Sequence, residues 1–147
     1  MFRALLAARK GGLNTKLHAV CDGEGRAIKL YISEGQSSDY KGAAYLINKL
    51  PCSQYLLADR GYDTNWGYDA NWFREALYDK NIVPCIPPRK NRNTPIIYDK
   101  NLYKQRHKIE NMFAKLKDWR RIATRYDRCA HTFFSAICIA AIVIWWI

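Results

Sequence analysis

Apolar and polar positions alternate near the start of the chain. From Leu13 to Ala19 every second residue would face the same side of an extended strand, and a second such run spans Ala27 to Ile32. Between the two runs, Asp22 to Gly25 has the composition of a tight turn. The pattern predicts a β-hairpin over residues 13–32.

Shorter runs follow the hairpin, each bounded by polar residues or proline. The first predicts a helix over residues 40–50, after an N-cap at Ser37, Ser38 or Asp39. Gln54 to Ala58 is apolar and short, which fits a buried strand or a helix fragment. The remaining runs predict a helix over 72–79 and a strand over 82–86.

The stretch from Tyr103 to Arg128 contains neither proline nor glycine, and its apolar residues recur at helical spacing. At about 100° per residue, one side of the helix carries Leu102, Ile109, Met112, Phe113 and Leu116. An adjacent side, within about 60°, carries Tyr103, Arg106, Glu110 and Lys117. The stretch holds nine Lys or Arg against three Asp or Glu. We predict a long, basic, amphipathic helix with one glutamate among its cations.

The last fifteen residues, Phe133 to Ile147, are nearly all apolar. A helix needs about 20 apolar residues to span a bilayer, so this run is too short. We predict a terminal helix packed into the core and no membrane insertion. The elements then follow the order β-β-α-β-α-β-α, an α/β fold with mixed strand directions in one domain.

The net charge indicates which class of partner this α/β domain binds. A net charge of +11 and a pI near 9.6 favour nucleic acid first and an anionic membrane surface second. The five cysteines form no CxxC pair and are odd in number. That usage favours reduced thiols in a cytoplasmic protein over a disulfide framework.

Two carboxylates are candidates for a ligand site. Asp59 ends an apolar run, and α/β sheets hold ligands at the carboxyl ends of their strands. Its alternative role is to cap a turn or the next helix. Glu110 has the alternative of a surface ion pair with Arg106 or a neighbouring lysine. Considered together, two carboxylates among many cations suit Mg²⁺ bound beside phosphates.

Clustered cations are the candidate contacts to a DNA backbone. Their alternative is a solvated surface, which the one-sided total charge makes less favoured. They lie in the loop after residue 86 and beyond the first turns of the basic stretch: Arg89, Lys90, Arg92, Arg120, Arg121 and Arg125.

Several blocks of this sequence resemble DDE transposases of bacterial insertion sequences. In one branch of that family the last catalytic block has the form Y-x2-R-x3-E-x6-K, which is matched by Tyr103, Arg106, Glu110 and Lys117. The segment WRRIATRYDR that follows it is typical of the same branch. The other matching blocks are Gly11–Val20, Leu56–Asp63 and Ile86–Arg92, in the family's order. The resemblance covers residues 9–147.

The resemblance implies an RNase H-like fold in which two aspartates and a glutamate bind two Mg²⁺ or Mn²⁺ ions. By position, Asp59 corresponds to the second aspartate and Glu110 to the glutamate. Tyr103, Arg106 and Lys117 correspond to residues that position transposon-end DNA. The implied enzyme cleaves DNA at transposon ends and transfers those ends into target DNA, so double-stranded DNA is the implied partner.

One part of the family pattern is missing. The family's first aspartate lies on the first, central strand upstream of the hairpin, whereas here only MFRALLAARK precedes the hairpin, without Asp or Glu. We therefore predict a leader over residues 1–10 and a partial RNase H-like domain over 11–147, truncated at the N-terminus and lacking that strand. A sheet without its central strand exposes apolar edges and would be poorly stable.

Two functions remain open from the sequence. The chain is either a transposase fragment, catalytically incomplete in isolation, or a non-catalytic DNA-binding or regulatory remnant. Its origin is a decayed element or the downstream half of an enzyme encoded in two frames. Its expected protein partner is an upstream transposase half or an intact transposase.

Overall fold

The computed structural model describes residues 3–10, 15–63 and 71–147. Within these residues, strands β1 to β5 span Arg3–Lys10, Thr15–Cys21, Ala27–Glu34, Tyr55–Ala58 and Val83–Cys85. Helices α1 to α6 span Asp39–Leu46, Trp72–Asp79, Lys100–Tyr103, His107–Lys117, Arg120–Ala123 and Ala130–Trp145. Short 3₁₀ turns span Ile47–Lys49, Arg60–Tyr62 and Lys104–Arg106.

The strands form one mixed sheet in the order β3-β2-β1-β4-β5. β1 runs antiparallel to β2 and parallel to β4, with Leu6 beside Ala58. β3 is antiparallel to β2, and β5 is parallel to β4. The carboxyl ends of β1, β3, β4 and β5 therefore lie at the same edge of the sheet, where the loops that follow them can surround a ligand.

The predicted absence of a central strand is wrong, because residues 3–10 form it. This segment was predicted to be a leader, yet it pairs with β2 on one side and β4 on the other. Its small side chains explain the fit: Ala4 and Ala7 are buried on opposite faces of the sheet, under the helices. The reason for expecting an unstable sheet is thereby removed.

Helices cover both faces of the sheet. On one face, α4 and α6 pack against Ala7, Leu17 and Leu57. On the other, α1 and α2 pack against Ala4 and Leu56. The alternation of a strand explains why consecutive residues of β4 belong to different layers. The strand alternative for Gln54–Ala58 is the one that forms, as Tyr55–Ala58.

The predicted hairpin is present as β2 and β3, and its residues 13–14 lie outside the described part of the chain. Asp22 is buried in the turn, where its carboxylate accepts hydrogen bonds from the backbone N–H groups of Glu24 (3.0 Å) and Arg26 (2.9 Å). Gly25 has a φ of 83°, a conformation that favours glycine. Lys108 of α4 donates to the carbonyl oxygen of Gly23 at 2.6 Å, so the turn is tied to the helix layer.

The helix predicted over Tyr103–Arg128 starts earlier and ends earlier. It begins after Asp99, whose carboxylate accepts from the N–H of Leu102 at 2.9 Å, and it continues through a 3₁₀ turn into α4. Its predicted apolar side is buried. The helix α4 ends at Lys117, and the backbone becomes extended at Trp119, so α5 is separate.

The terminal helix α6 packs into the core as predicted, through Phe133, Ile137, Ala140 and Ala141. Just beyond it, the Trp146 indole donates to the carbonyl oxygen of Ala27 at 3.0 Å. In the described residues, no helix has the length and apolar character needed to cross a membrane.

Candidate active site

Asp59 follows the last residue of β4, at the edge where four strands end. Its Oδ1 accepts from the backbone N–H of Gly61 at 2.8 Å and so caps the 3₁₀ turn Arg60–Tyr62. Its Oδ2 accepts from Nη2 of Arg106 at 3.2 Å. The capping role weighed from the sequence is therefore present, and it uses one of the two carboxylate oxygens.

Arg106 joins the two candidate carboxylates. Its Nη2 lies 3.2 Å from Oδ2 of Asp59, and its Nη1 lies 2.9 Å from Oε1 of Glu110. The Arg106 side chain is 21% exposed, against 37% for Asp59 and 49% for Glu110, so the guanidinium lies beneath two solvent-facing acids. The surface ion pair between Glu110 and Arg106, which was the alternative role for Glu110, is present. Because Arg106 also pairs with Asp59, it links Glu110 to a residue 51 positions earlier in the chain.

The local backbone explains this placement. Arg106 ends the 3₁₀ turn that separates α3 from α4, and such tightened turns inside a helix often mark functional positions. Glu110 lies one turn further along α4, in reach of the guanidinium. Nε of Arg106 is buried and has no hydrogen-bond partner among the described residues.

Tyr103 lies beside this group. Burial raises the pKa of its phenol, while the charges of Arg106 and Asp59 act on that pKa in opposite directions. Its ring meets the ring of Tyr98 edge-on, with centroids 5.7 Å apart. Lys117 is exposed near the end of α4, seven residues beyond Glu110 and so about 10 Å further along the helix axis.

The predicted DNA contacts in the loop after β5 differ in their surroundings. Lys90 is exposed. The Arg92 side chain is 9% exposed and lies 2.6 Å from Oδ1 of Asp63, and Arg89 donates its backbone N–H to Oδ2 of Asp63 at 2.8 Å. The guanidinium of Arg89 reaches the carbonyl oxygen of Arg60 at 3.4 Å. This loop is thus attached to the segment that follows Asp59.

Asp63 is a residue that the sequence reasoning missed. It is buried and accepts from Arg92 and from Arg74, whose Nη2 lies 3.2 Å from Oδ1. Burial by itself would raise the pKa of Asp63, but the bonds from Arg92 and the Arg89 backbone and the charge of Arg74 outweigh it and lower the pKa. The signal that could have found it is a lone acid four residues after Asp59, in a chain rich in arginine.

The cations after α4 are partly occupied by neighbours. Arg121 forms two hydrogen bonds with Asp127, at 2.9 and 3.0 Å. Arg125 donates to Thr15 Oγ1 at 2.6 Å, and its guanidinium lies 4.5 Å from the centre of the Phe133 ring. Arg120 is exposed. Of the predicted contacts, Lys90, Lys117, Arg120 and Arg121 are exposed, and Arg121 is paired with Asp127.

Two comparisons with known proteins identify the family. The family model for the transposase DDE domain matches residues 7–146. The chain is 31% identical over 135 residues to a Brucella ovis protein named "Putative transposase for insertion sequence element IS6501", an alignment that covers 90% of this chain and 98% of the relative. The chain belongs to the DDE transposase family.

A solved structure is also similar in part. A chain in the cryo-EM structure of the simian T-cell lymphotropic virus intasome in complex with PP2A regulatory subunit B56 gamma superposes with a TM-score of 0.49 at 11% sequence identity. The match covers 97% of this chain and 48% of that one, so this chain spans about half of that chain's length.

Family membership raises the question of whether the residues fit a divalent metal. Across residues 3–10, 15–63 and 71–147, no three His, Cys, Asp or Glu side chains are grouped closely enough to hold an ion. Asp59 and Glu110 are both paired with the guanidinium of Arg106, and Mg²⁺ is commonly held by one or two carboxylates plus phosphate oxygens and water. The donor set fits a single hard cation.

The third carboxylate of the family pattern has no counterpart on the central strand. Because Leu6 is beside Ala58, the next residue on β1, Ala7, is level with Asp59. Ala7 is buried on the α4 face, together with Leu57 and Ile109. β1 reads RALLAARK and contains no acid.

Proposed function

We propose that this chain binds double-stranded DNA and carries part of a site for metal-dependent cleavage and strand transfer at the ends of an insertion sequence. The observation that carries the proposal is the convergence of Asp59 and Glu110 on Arg106, at the edge where the strands end. Family membership supports it, because the two residues occupy matching blocks of the transposase pattern.

The strand order supports an RNase H-like assignment of the domain. An antiparallel β3-β2-β1 half joined to a parallel β1-β4-β5 half has the mixed strand directions that the element order predicted. It also gives the central strand a defined place beside β4, which is where the family pattern requires a carboxylate.

The residues of this chain divide the work as follows. Asp59 and Glu110 would hold one Mg²⁺ or Mn²⁺ ion, which when bound neutralises phosphate charge and acidifies a water. Tyr103 and Arg106 position the DNA strand beside the two carboxylates, and Lys117 binds its backbone. Lys90 and Arg120 extend this basic surface.

Arg89, Arg92, Arg121 and Arg125 have a second role in the proposal. Their bonds to Asp63, Asp127 and Thr15 hold the basic loops in shape, so their contribution to DNA binding is largely indirect. A free phosphate would have to compete with these intramolecular partners.

The isolated chain is proposed to be catalytically incomplete, because the position level with Asp59 on β1 is a methyl group. A protein partner, either another transposase polypeptide or an intact transposase, would complete the site. The five cysteines are all free thiols, which fits a protein that binds DNA in the cytoplasm.

The test combines a binding assay with a cleavage assay. Fluorescence anisotropy with a labelled duplex should show salt-dependent binding, and a supercoiled plasmid incubated with Mg²⁺ or Mn²⁺ should be nicked no faster by the wild type than by Glu110→Gln. Nicking by the wild type that is lost in Glu110→Gln would overturn the proposal that the isolated chain is catalytically incomplete. Absence of duplex binding at low salt would overturn the proposed function as a whole.

A second candidate function is a non-catalytic DNA-binding regulator of transposition. Ala7 at the level of Asp59 favours it, since DNA binding does not need the missing carboxylate. Adding the chain to an end-cleavage assay of an intact transposase separates the candidates. A regulator lowers the cleavage rate, whereas an incomplete enzyme half leaves it unchanged or raises it.

A further inference from the structure

A third carboxylate, that of Asp39, lies close to Asp59. Asp39 begins α1, which follows β3 and therefore starts at the same edge of the sheet. A Cβ atom at Gly61 would lie 2.8 Å from Oδ1 of Asp59 and 3.4 Å from Oδ2 of Asp39. The two aspartates thus face one gap that exists because residue 61 has no side chain.

Each of these aspartates uses one oxygen on a cation and turns the other toward the gap. Lys16 lies 3.0 Å from Oδ1 of Asp39 and also donates to the carbonyl oxygen of Ser37 at 2.6 Å, which leaves Oδ2 facing Gly61. Asp59 is similar, with Oδ2 near Arg106, but its Oδ1 also accepts a hydrogen bond from the backbone N–H of Gly61 at 2.8 Å. The ion pairs orient both carboxylates without using the oxygens that face the gap.

A buried hydroxyl provides an independent indication of a ligand. Tyr62 is 1% exposed, and its Oη has no hydrogen-bond partner among the described residues. Burial raises the pKa of Tyr62 most, the charges of Asp39 and Asp59 raise it further, and the charge of Arg106 lowers it. A buried hydroxyl without a partner is costly, and a ligand or its bound water would satisfy it.

We propose that Asp39 is a metal-binding residue of this site and that it holds a divalent cation together with Asp59 in the gap beside Gly61. Mg²⁺ and Mn²⁺ keep several of their waters, so neither carboxylate has to close the gap completely. Asp39 thereby provides a carboxylate from α1 where β1 offers Ala7. The inference rests on the proposed function in taking Asp59 as a metal ligand.

The charges near the gap favour a divalent ion. Asp39, Asp59 and Glu110 are countered by Lys16 and Arg106, which leaves one negative charge. The phosphate backbone of a bound DNA strand would add negative charge. A divalent cation would compensate both.

The experiment measures Mn²⁺ binding to the full chain by the loss of the free-ion EPR signal, with no DNA and no cleavage assay. Asp39→Asn and Asp59→Asn should each weaken Mn²⁺ binding about tenfold or more. Asp79→Asn is the matched control, because Asp79 is an exposed aspartate at the far end of α2 and should leave affinity unchanged. Gly61→Ala should also weaken binding, because its methyl group fills the gap.

The outcomes separate the inference from the function on which it rests. Loss of Mn²⁺ binding in Asp59→Asn with wild-type affinity in both Asp39→Asn and Gly61→Ala overturns the role of Asp39 and leaves the proposed function standing. No Mn²⁺ binding by the wild type overturns the metal role of both aspartates. Circular dichroism checks folding, and if Asp39→Asn does not fold, the Gly61→Ala result decides.

Discussion

At the scale of single residues, the site consists of acids that are each held by a neighbouring cation. Asp59 and Glu110 share Arg106, and the buried Asp63 is held by Arg74 and Arg92. The exposed pairs contribute little stability, since solvent screens them. The buried one contributes more, because an acid deprived of its partner in the interior carries a desolvation cost.

Arg92→Ala should therefore destabilise the protein by about 2–4 kcal/mol, because it leaves the carboxylate of the buried Asp63 short of its closest partner. Lys90→Ala, two residues away and exposed, should change stability by less than about 0.5 kcal/mol. Urea denaturation followed by circular dichroism measures both free energies of unfolding. Equal values for the two variants would contradict the structural role of Arg92.

His18 predicts a pH dependence of stability. It is buried with Nε2 2.7 Å from Oγ of Ser33, and burial lowers its pKa to about 4, with Asp39 acting to raise it and Lys16 to lower it. In the unfolded chain the histidine pKa is about 6.5. Between about pH 4 and that value, the unfolded chain therefore binds up to one more proton than the folded chain. Stability should thus fall as pH drops from about 6.5 to 4, by up to about 1.4 kcal/mol per unit.

The control for this pH dependence is a pair of histidine variants. His18→Gln should remove most of the slope between those pH values, whereas the exposed His107→Gln should keep it. Thermal unfolding at half-unit pH steps measures the slope. A slope in His18→Gln as steep as that of the wild type would assign it to other groups.

At the scale of elements, the sheet is organised by β1, which has paired strands on both sides. Its backbone N–H groups are shared between β2 and β4, while β3 and β5 are edge strands. Opening β1 requires breaking two ladders, and opening an edge strand requires breaking one.

Amide hydrogen exchange should report that difference. A peptide covering residues 3–10 should exchange more slowly than one covering residues 27–34 of the edge strand β3, with protection close to that of global unfolding. Mass spectrometry after pepsin digestion measures both peptides in the same sample. Faster exchange in residues 3–10 than in residues 27–34 would show that β1 is not held as the central strand.

Elements with a local pattern could be predicted from the sequence, and the others could not. The hairpin alternates around a turn whose Asp22 supplies its own hydrogen bonds, and α2 spans the predicted residues. β1 has no such pattern: RALLAARK resembles a basic leader and becomes a strand only through β4, far along the chain. The early end of α4 was missed because no proline or glycine marks it.

The same distinction applies to the candidate site. Asp59 and Glu110 were found through short blocks that keep their spacing in the chain. The surroundings of Asp39 and Asp63 are set by contacts between different elements. Asp39 faces the gap at Gly61 and Asp63 pairs with Arg74, and the spacing of residues in the sequence does not predict such contacts. The burial of Arg92 also could not be predicted from the sequence. A basic loop has the same composition whether its cations face solvent or pair with a buried acid.

At the scale of the whole molecule, an excess of eleven positive charges is spread over a small domain. Phosphate contacts release counterions, so DNA affinity should fall steeply with salt. The exposed cations that we propose as contacts to the DNA backbone are Lys90, Lys117 and Arg120.

Lys117→Ala should weaken duplex binding and reduce the slope of log K against log salt by about 0.9, the value for one lost phosphate contact. Lys80→Ala is the control, since Lys80 is an exposed lysine just after α2, which packs on the opposite face of the sheet. Anisotropy titrations at several salt concentrations give both slopes. Identical slopes for the two variants would remove Lys117 from the interface.

The place of β1 at the start of the chain has a consequence for how the protein folds. Its pairing with β2 joins neighbours in the sequence, but its pairing with β4 joins Arg3 to Tyr55, and the intervening chain must be closed into a loop first. Closing that loop has an entropic cost before the parallel ladder forms, and such non-local pairing slows folding. During synthesis, the hairpin and β1 would therefore emerge with one edge of the future central strand still open, until β4 arrives.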